Sequence, residues 1–169
     1  FYASSHSKDG IDRADVIIVS VGTPATGQYY MDYSQLHSAL EEISKGGLTM
    51  KAVGFRCTLV PGTINNLVIS YLEDKSGLKA GIDFALAMCP ERILEGHAIE
   101  ELYDLPEIVG GVNETSNAIF AELFKKINLK KDILHTTPKG AELAKLFTNI
   151  YRYVNFALAN EFAIWAEMY

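Results

Sequence analysis

Lys145, Asn149 and Arg152 stand four and three residues apart in the run Lys145-Leu146-Phe147-Thr148-Asn149-Ile150-Tyr151-Arg152. On a helix each residue turns about 100°, so the three share one narrow arc over roughly two turns of axis. Phe156 continues that stripe, while Phe147, Ile150, Tyr151, Val154 and Leu158 fall on the far side. An ammonium, a carboxamide and a guanidinium in a row, flanked by aromatics, suit an anionic, oxygen-rich ligand. Helix geometry alone is equally compatible with a solvated face that holds two cations.

A second set of polar residues sits just beyond apolar, strand-like runs: Gly22-Thr23-Pro24, Cys57-Thr58 through Gly62-Thr63, and Pro90-Glu91-Arg92. In open α/β sheets ligands bind beyond the carboxyl ends of the strands. Hydroxyls of Thr23 and Thr58 can bond ribose or phosphate oxygens there, and a following helix N-terminus favours negative charge. Each threonine taken singly reads as a strand-end cap; together they point to a site. Glu91 and Glu95 could hold or deprotonate a water beside Lys145, or simply form a favourable acidic helix start. Cys57 and Cys89 adjoin apolar runs with no histidine near in sequence, and read as small core thiols. His6, His37, His97 and His135 have no metal-ligand spacing.

The elements that must position these residues alternate. The run Asp15-Val16-Ile17-Ile18-Val19-Ser20-Val21 predicts a buried strand closed by Gly22-Thr23-Pro24. Residues 33–45 predict a helix capped by Asp32, with Gln35 three residues on and Gly46-Gly47 ending it. Ala52-Val53-Gly54-Phe55 is the second strand, followed by a helix bearing Ile64, Leu67, Val68, Tyr71 and Leu72 toward Gly77. Residues 83–88 and 107–109 are the third and fourth strands, the latter closed by Gly110-Gly111. Asn113 caps a helix, a last strand spans residues 133–136, and Thr137-Pro138 opens the long terminal helix. Alternation predicts an α/β, Rossmann-like parallel sheet with helices on both faces. Residues 1–137 form its nucleotide-fold part, and 138–169 begin a helical domain.

The 169 residues are 49% hydrophobic and 21% charged, with mean hydropathy of +0.08, a composition that suits one soluble domain. A net charge of −6 without a basic run argues against nucleic-acid binding. Apolar runs are too short for a membrane span. Two cysteines suit a reducing, cytoplasmic setting. A start at Phe1 and an end within a helical pattern read as a piece of a longer protein.

Five ordered motifs then resemble a known family. They are Val21-Gly22-Thr23-Pro24; Thr58 with Val60-Pro61-Gly62-Thr63; Pro90-Glu91-Arg92-Ile93-Leu94-Glu95-Gly96; Val109-Gly110-Gly111; and Glu142-Leu143-Ala144-Lys145-Leu146-Phe147-Thr148-Asn149. Together they resemble the nucleotide-sugar 6-dehydrogenases, the UDP-glucose/GDP-mannose dehydrogenase family. The continuation from Ile150 to Glu161 is most similar to the branch acting on UDP-N-acetylhexosamines such as UDP-N-acetylmannosamine.

The resemblance implies NAD as cofactor and a UDP-sugar as substrate. It implies oxidation of the sugar C6 alcohol to a carboxylate, with two NAD reduced per turnover and a cysteine trapping the aldehyde as a thioester precursor. By motif position Lys145 resembles the catalytic lysine and Asn149 the amide that holds the reacting oxygen or a water. Four residues apart on one helical face, both reach one small volume and can stabilise negative charge developing there. Arg152, one turn on, would reach the anionic substrate, Arg92 and Ile93 resemble substrate contacts, and Thr23 and Thr58 resemble NAD contacts. Glu91 resembles the water-associated carboxylate and Glu95 a residue near the nicotinamide. The family's glycine-rich fingerprint would precede this chain, since no G-x-G-x-x-G occurs in it. The nucleophilic cysteine would follow Tyr169, as neither Cys57 nor Cys89 matches it.

The long helix would pair two protomers into a homodimer. Two other readings stand beside this one. A β-hydroxyacid dehydrogenase of the 6-phosphogluconate type also places a lysine and an asparagine four apart, although the motif from Pro90 to Gly96 argues against it. A non-catalytic binding or oligomerisation remnant is the third.

Overall fold

The computed structural model describes residues 3–169 apart from 6, 28, 29 and 95. Five strands form one sheet: β1 (Val16–Val19), β2 (Ala52–Phe55), β3 (Ala85–Met88), β4 (Glu107–Gly111) and β5 (Ile133–Thr136), hydrogen-bonded in that order. The helices are α1 (Ser7–Ile11), α2 (Ser34–Lys45), α3 (Ile69–Ser76), α4 (Ala98–Asp104), α5 (Glu114–Lys125) and α6 (Pro138–Met168). The fold is a Rossmann-like α/β sheet, as the alternation predicts.

One strand pair departs from the expected parallel order. The sheet is not wholly parallel: β3 and β4 run antiparallel, joined by the pairs Ala87↔Gly111 and Met88↔Gly110. Between them lie a largely irregular segment and the seven residues of α4. A parallel return needs a crossover that carries the chain back along the sheet. This connection never makes that journey, so β4 starts where β3 ends and runs back. β1–β2, β2–β3 and β4–β5 are parallel.

Gly110 and Gly111 therefore lie inside β4 instead of closing it. A Cβ on Gly110 would sit 2.6 Å from the carbonyl oxygen of Thr137 and 2.8 Å from the Ala141 methyl. The bare strand is the seat on which the start of α6 rests.

Alternation along β3 separates two cores. Leu86 and Met88 join Leu36, Leu40, Phe55, Ile64 and Leu72 on the α2–α3 side. Ala85, Ala87 and Cys89 face α5 with Phe120 and Phe124. Small residues on that second face leave room for the rings. A Cβ on Gly54 would fall 2.6 Å from the Phe120 ring, so β2 needs glycine where α5 crosses it. The β1 run is shorter and less covered than its apolar character predicts, with Ile18 43% exposed on the sheet's edge strand.

Helix ends follow local chemistry with two variations. Asn113 accepts the Ser116 N–H at 2.9 Å and Thr137 the Gly140 N–H at 3.1 Å, both as expected for caps. Asp32 does hold the Ser34 N–H at 2.8 Å. Gln35 does not complete a capping box with it; its side chain instead accepts the Gly22 N–H at 3.0 Å. The helix expected from Ile64 opens as a π-helical stretch, Ile64–Val68, before α3.

The first half of α6 is packed, with Pro138, Ala141, Glu142 and Lys145 buried. The second half is bare: Phe147, Ile150, Tyr151, Val154, Phe156, Leu158 and Phe162 are each at least half exposed. Among the described residues no helix is long and apolar enough to cross a membrane, and no cluster of His, Cys, Asp and Glu could hold a metal ion.

Candidate active site

A cleft of ≈ 580 Å³ opens beyond the carboxyl ends of β1, β2 and β3. Gly22 and Thr23 reach it from β1, Arg56, Cys57 and Thr58 from β2, Glu91 from β3, and Lys145 from α6. The sheet thus brings together four of the residues singled out in the sequence: Thr23, Thr58, Glu91 and Lys145. The Thr23 hydroxyl donates to the Thr58 carbonyl at 2.6 Å, which ties the first two strand tips together.

Lys145 is held from below. Its ammonium donates to the main-chain carbonyl of Glu91 and lies 3.7 Å from the carboxylate of the same residue, with 11% of the lysine side chain exposed. Glu91 spends its other carboxylate oxygen on the Ile93 N–H, which closes a tight turn. Burial lowers the Lys145 pKa from its ordinary value, the Glu91 carboxylate opposes that shift, and the Arg56 guanidinium adds to it. A buried amine with a depressed pKa, next to a carboxylate and at the mouth of a cleft, is equipped to donate and accept a proton.

Other residues fall elsewhere. The Arg92 guanidinium donates to the Pro106 carbonyl, and Arg92 and Ile93 line a neighbouring cavity of ≈ 10 Å³. Asn149 and Arg152 lie further along α6 and are not among the cleft's lining residues. Arg152 instead donates to the Arg92 carbonyl at 2.9 Å. Glu95 lies outside the described residues. Both cysteines are buried, and burial raises both thiol pKa values, which suits inert core groups.

Two charged residues with no role legible in the sequence lie at the centre of the fold. Glu142 has no exposed surface. Arg56 pairs with Glu107 at 2.8 Å, with side chains 13% and 7% exposed, and its guanidinium lies 5.1 Å from the centre of the Phe124 ring. The available signal was position: Glu142 shares the Lys145 face at i, i+3, and Arg56 immediately follows an all-apolar strand.

The donor set fits a dinucleotide. Two hydroxyl-bearing strand tips supply hydrogen-bond partners for sugar or phosphate oxygens, and a cation closes the far wall. The volume lies within the 300–1,000 Å³ usual for cofactor clefts.

Residues 1–128 match the description of the UDP-glucose/GDP-mannose dehydrogenase family, NAD binding domain. This chain belongs to that family. It is 35% identical over 161 residues to the UDP-N-acetyl-D-mannosamine dehydrogenase of Pyrococcus horikoshii, covering 95% of this chain and 38% of the relative. The GDP-mannose 6-dehydrogenase of Pseudomonas savastanoi is 32% identical over 161 residues, covering 90% of this chain and 35% of the relative. Among solved structures, the P. horikoshii UDP-D-ManNAc dehydrogenase superposes with a TM-score of 0.86 at 35% identity, over 95% of this chain and 38% of that one. A ternary complex of the Pseudomonas aeruginosa GDP-mannose dehydrogenase also reaches 0.86, at 28% identity over 94% and 37% of the two chains. The chain spans little more than a third of these relatives' length. As a family member it carries an NAD-binding domain, and NAD is its cofactor.

Proposed function

We propose that this chain belongs to a nucleotide-sugar 6-dehydrogenase that oxidises the C6 alcohol of a UDP-N-acetylhexosamine, UDP-N-acetylmannosamine or a near relative, to the uronic acid. Residues 1–137 are the part of its NAD domain present here, and residues 138–169 begin a helical domain. The observation that carries the reading is the buried Lys145 ammonium, held by Glu91 in the same cleft as Thr23 and Thr58. NAD, when bound there, takes up the hydride released from the sugar.

The chain's own residues do the rest. Thr23 and Thr58 hold oxygens of the cofactor at the strand tips. Lys145 lies where negative charge develops on the reacting oxygen and stabilises it. Glu91 orients that amine and holds a water beside it. Asn149 extends the same helical face toward the reacting oxygen, and Arg152 with Arg92 and Ile93 meets the sugar nucleotide. That last role requires Arg92 to leave the Pro106 carbonyl, because its guanidinium donates there now.

The sugar is chosen on two supports: the residues from Ile150 to Glu161, and the names of relatives at 35% identity. The test is NADH formation by the complete gene product with UDP-N-acetylmannosamine and with GDP-mannose. Two NADH per UDP-sugar consumed, with little turnover of GDP-mannose, is the expected result. Preference for GDP-mannose would reassign the substrate. One NADH per turnover would favour the β-hydroxyacid dehydrogenase chemistry.

A further inference from the structure

Two ion pairs meet at the cleft, Arg56 with Glu107 and Lys145 with Glu91, and both cations face the same opening. The contacts are 2.8 Å between Arg56 and Glu107 and 3.7 Å between Lys145 and Glu91. Arg56 and Lys145 line the same cleft, whereas Glu107 lies behind Arg56 in the small neighbouring cavity. We propose that Arg56 is a positioning residue that biases Lys145 toward its neutral form, with Glu107 fixing how much of the guanidinium charge the lysine feels. The inference rests on the reading of Lys145 as the reacting amine only for its importance, not for its physics.

The geometry gives Arg56 few alternatives. Glu107 pins one of its nitrogens, the Phe124 ring lies against its face, and little of it meets solvent to screen its charge. Cations held close together disfavour each other's charged form. The other groups facing Lys145 are the Glu91 carboxylate beyond β3 and the Cys57 thiol beyond β2. Glu142 is its i−3 neighbour on α6. Of these Glu91 favours the ammonium, and burial together with Arg56 disfavours it, in agreement with the lowered lysine pKa. A guanidinium cannot give up its own proton at working pH, so Arg56 is a constant bias that leaves the amine free to exchange its proton with a reacting alcohol or water.

The test reads Lys145 directly in the complete gene product. Only the neutral amine reacts with acetic anhydride, so the pH at which Lys145 is half-reactive, followed by peptide mass spectrometry, reports its titration whether or not any sugar is oxidised. In R56M/E107Q the near cation is gone without stranding a buried carboxylate, and half-reactivity moves to higher pH. In E107Q the guanidinium is no longer balanced, and it moves to lower pH. A merely structural role would not move the two variants in opposite directions. Folded variants with unshifted titration overturn the proposal. If R56M/E107Q does not fold, E107Q decides: a downward shift supports the proposal and an unchanged midpoint sinks it. Failure of the sugar-oxidation assay, by contrast, would count against the proposed function and leave this measurement standing.

Discussion

Oε1 of Glu142, on α6, accepts the main-chain N–H of Ile64 at 2.8 Å, although the two residues are 78 positions apart. The other carboxylate oxygen accepts the N–H of Gly62. Glu142 thus caps, from another element, the π-helical stretch that follows β2, and it does so one helical turn from Lys145. The loop bearing Thr58 and the helix bearing Lys145 are fastened at that point.

Replacing Glu142 by Gln removes one of two acceptors and leaves a buried N–H facing an amide. We expect a loss of about 1–3 kcal/mol, read as a lower Tm. The cost depends on pH in a defined sense. Burial raises the Glu142 pKa against the two N–H bonds that lower it. A carboxyl with a raised folded pKa contributes stability that is present below its unfolded value and lost as pH rises through the folded one. The penalty of E142Q is therefore larger at pH 4 than at pH 8; the reverse order in denaturation midpoints would contradict the burial argument.

Lys145→Ala in the complete gene product is expected to lower kcat by about 10²–10³-fold, the usual loss for one donor to a developing oxyanion, while NAD affinity stays close to that of the parent. Near-normal turnover would remove Lys145 from its role.

Lys145→Met tests the cost of placing that amine. The lysine pKa is lowered chiefly by burial. A depressed folded pKa means that the group's stability contribution is lost as pH falls through the folded value and is complete only above the unfolded one. K145M should raise Tm at pH 7, with an advantage that shrinks as pH approaches 10.5, the lysine's ordinary value. An unchanged or lower Tm at pH 7 would show that the Glu91 contacts outweigh desolvation.

The bare half of α6 exposes Phe147 at 62%, Leu158 at 50% and Phe162 at 64%, a contiguous apolar face of the kind that marks an interface. We expect at least a dimer by light scattering, and Leu158→Lys should weaken it. A monomer at every concentration examined would argue that this helix has another use.

Gly110→Ala would push a methyl group into the Thr137 carbonyl and Ala141. Backbone cannot yield cheaply, so a loss of about 1–3 kcal/mol is expected, read by denaturant titration. The same change at Gly10, with no atom within 4 Å of the added Cβ, is the control and should be nearly neutral.

What could be read from the chain was whatever depends on near neighbours. The β-rich runs, the caps at Asn113 and Thr137, and the threonines beyond β1 and β2 are local facts, set by propensity and by hydrogen bonds within a few residues. The common face of Lys145, Asn149 and Arg152 is likewise fixed by the helical period. The antiparallel junction at Gly110 and Gly111 was not legible, because strand direction depends on where a connection travels and not on its composition. The fate of Gln35, bound to Gly22 in place of its own helix cap, was hidden for a related reason: a long side chain takes the partner that folding brings near.

The sequence by itself determined the five strands and the longer helices, the family and the polar character of each strand tip, whereas the short helices Ser7–Ile11 and Ala98–Asp104 were not legible in it. Only the tertiary structure decided that Glu142 would clamp residues 62 and 64, that Arg56 and Glu107 would underlie Lys145, and that Arg92 would turn to Pro106 and not into the cleft. The physical reason is desolvation. A buried charge must find its partner wherever the packed chain provides one, and that choice belongs to three dimensions.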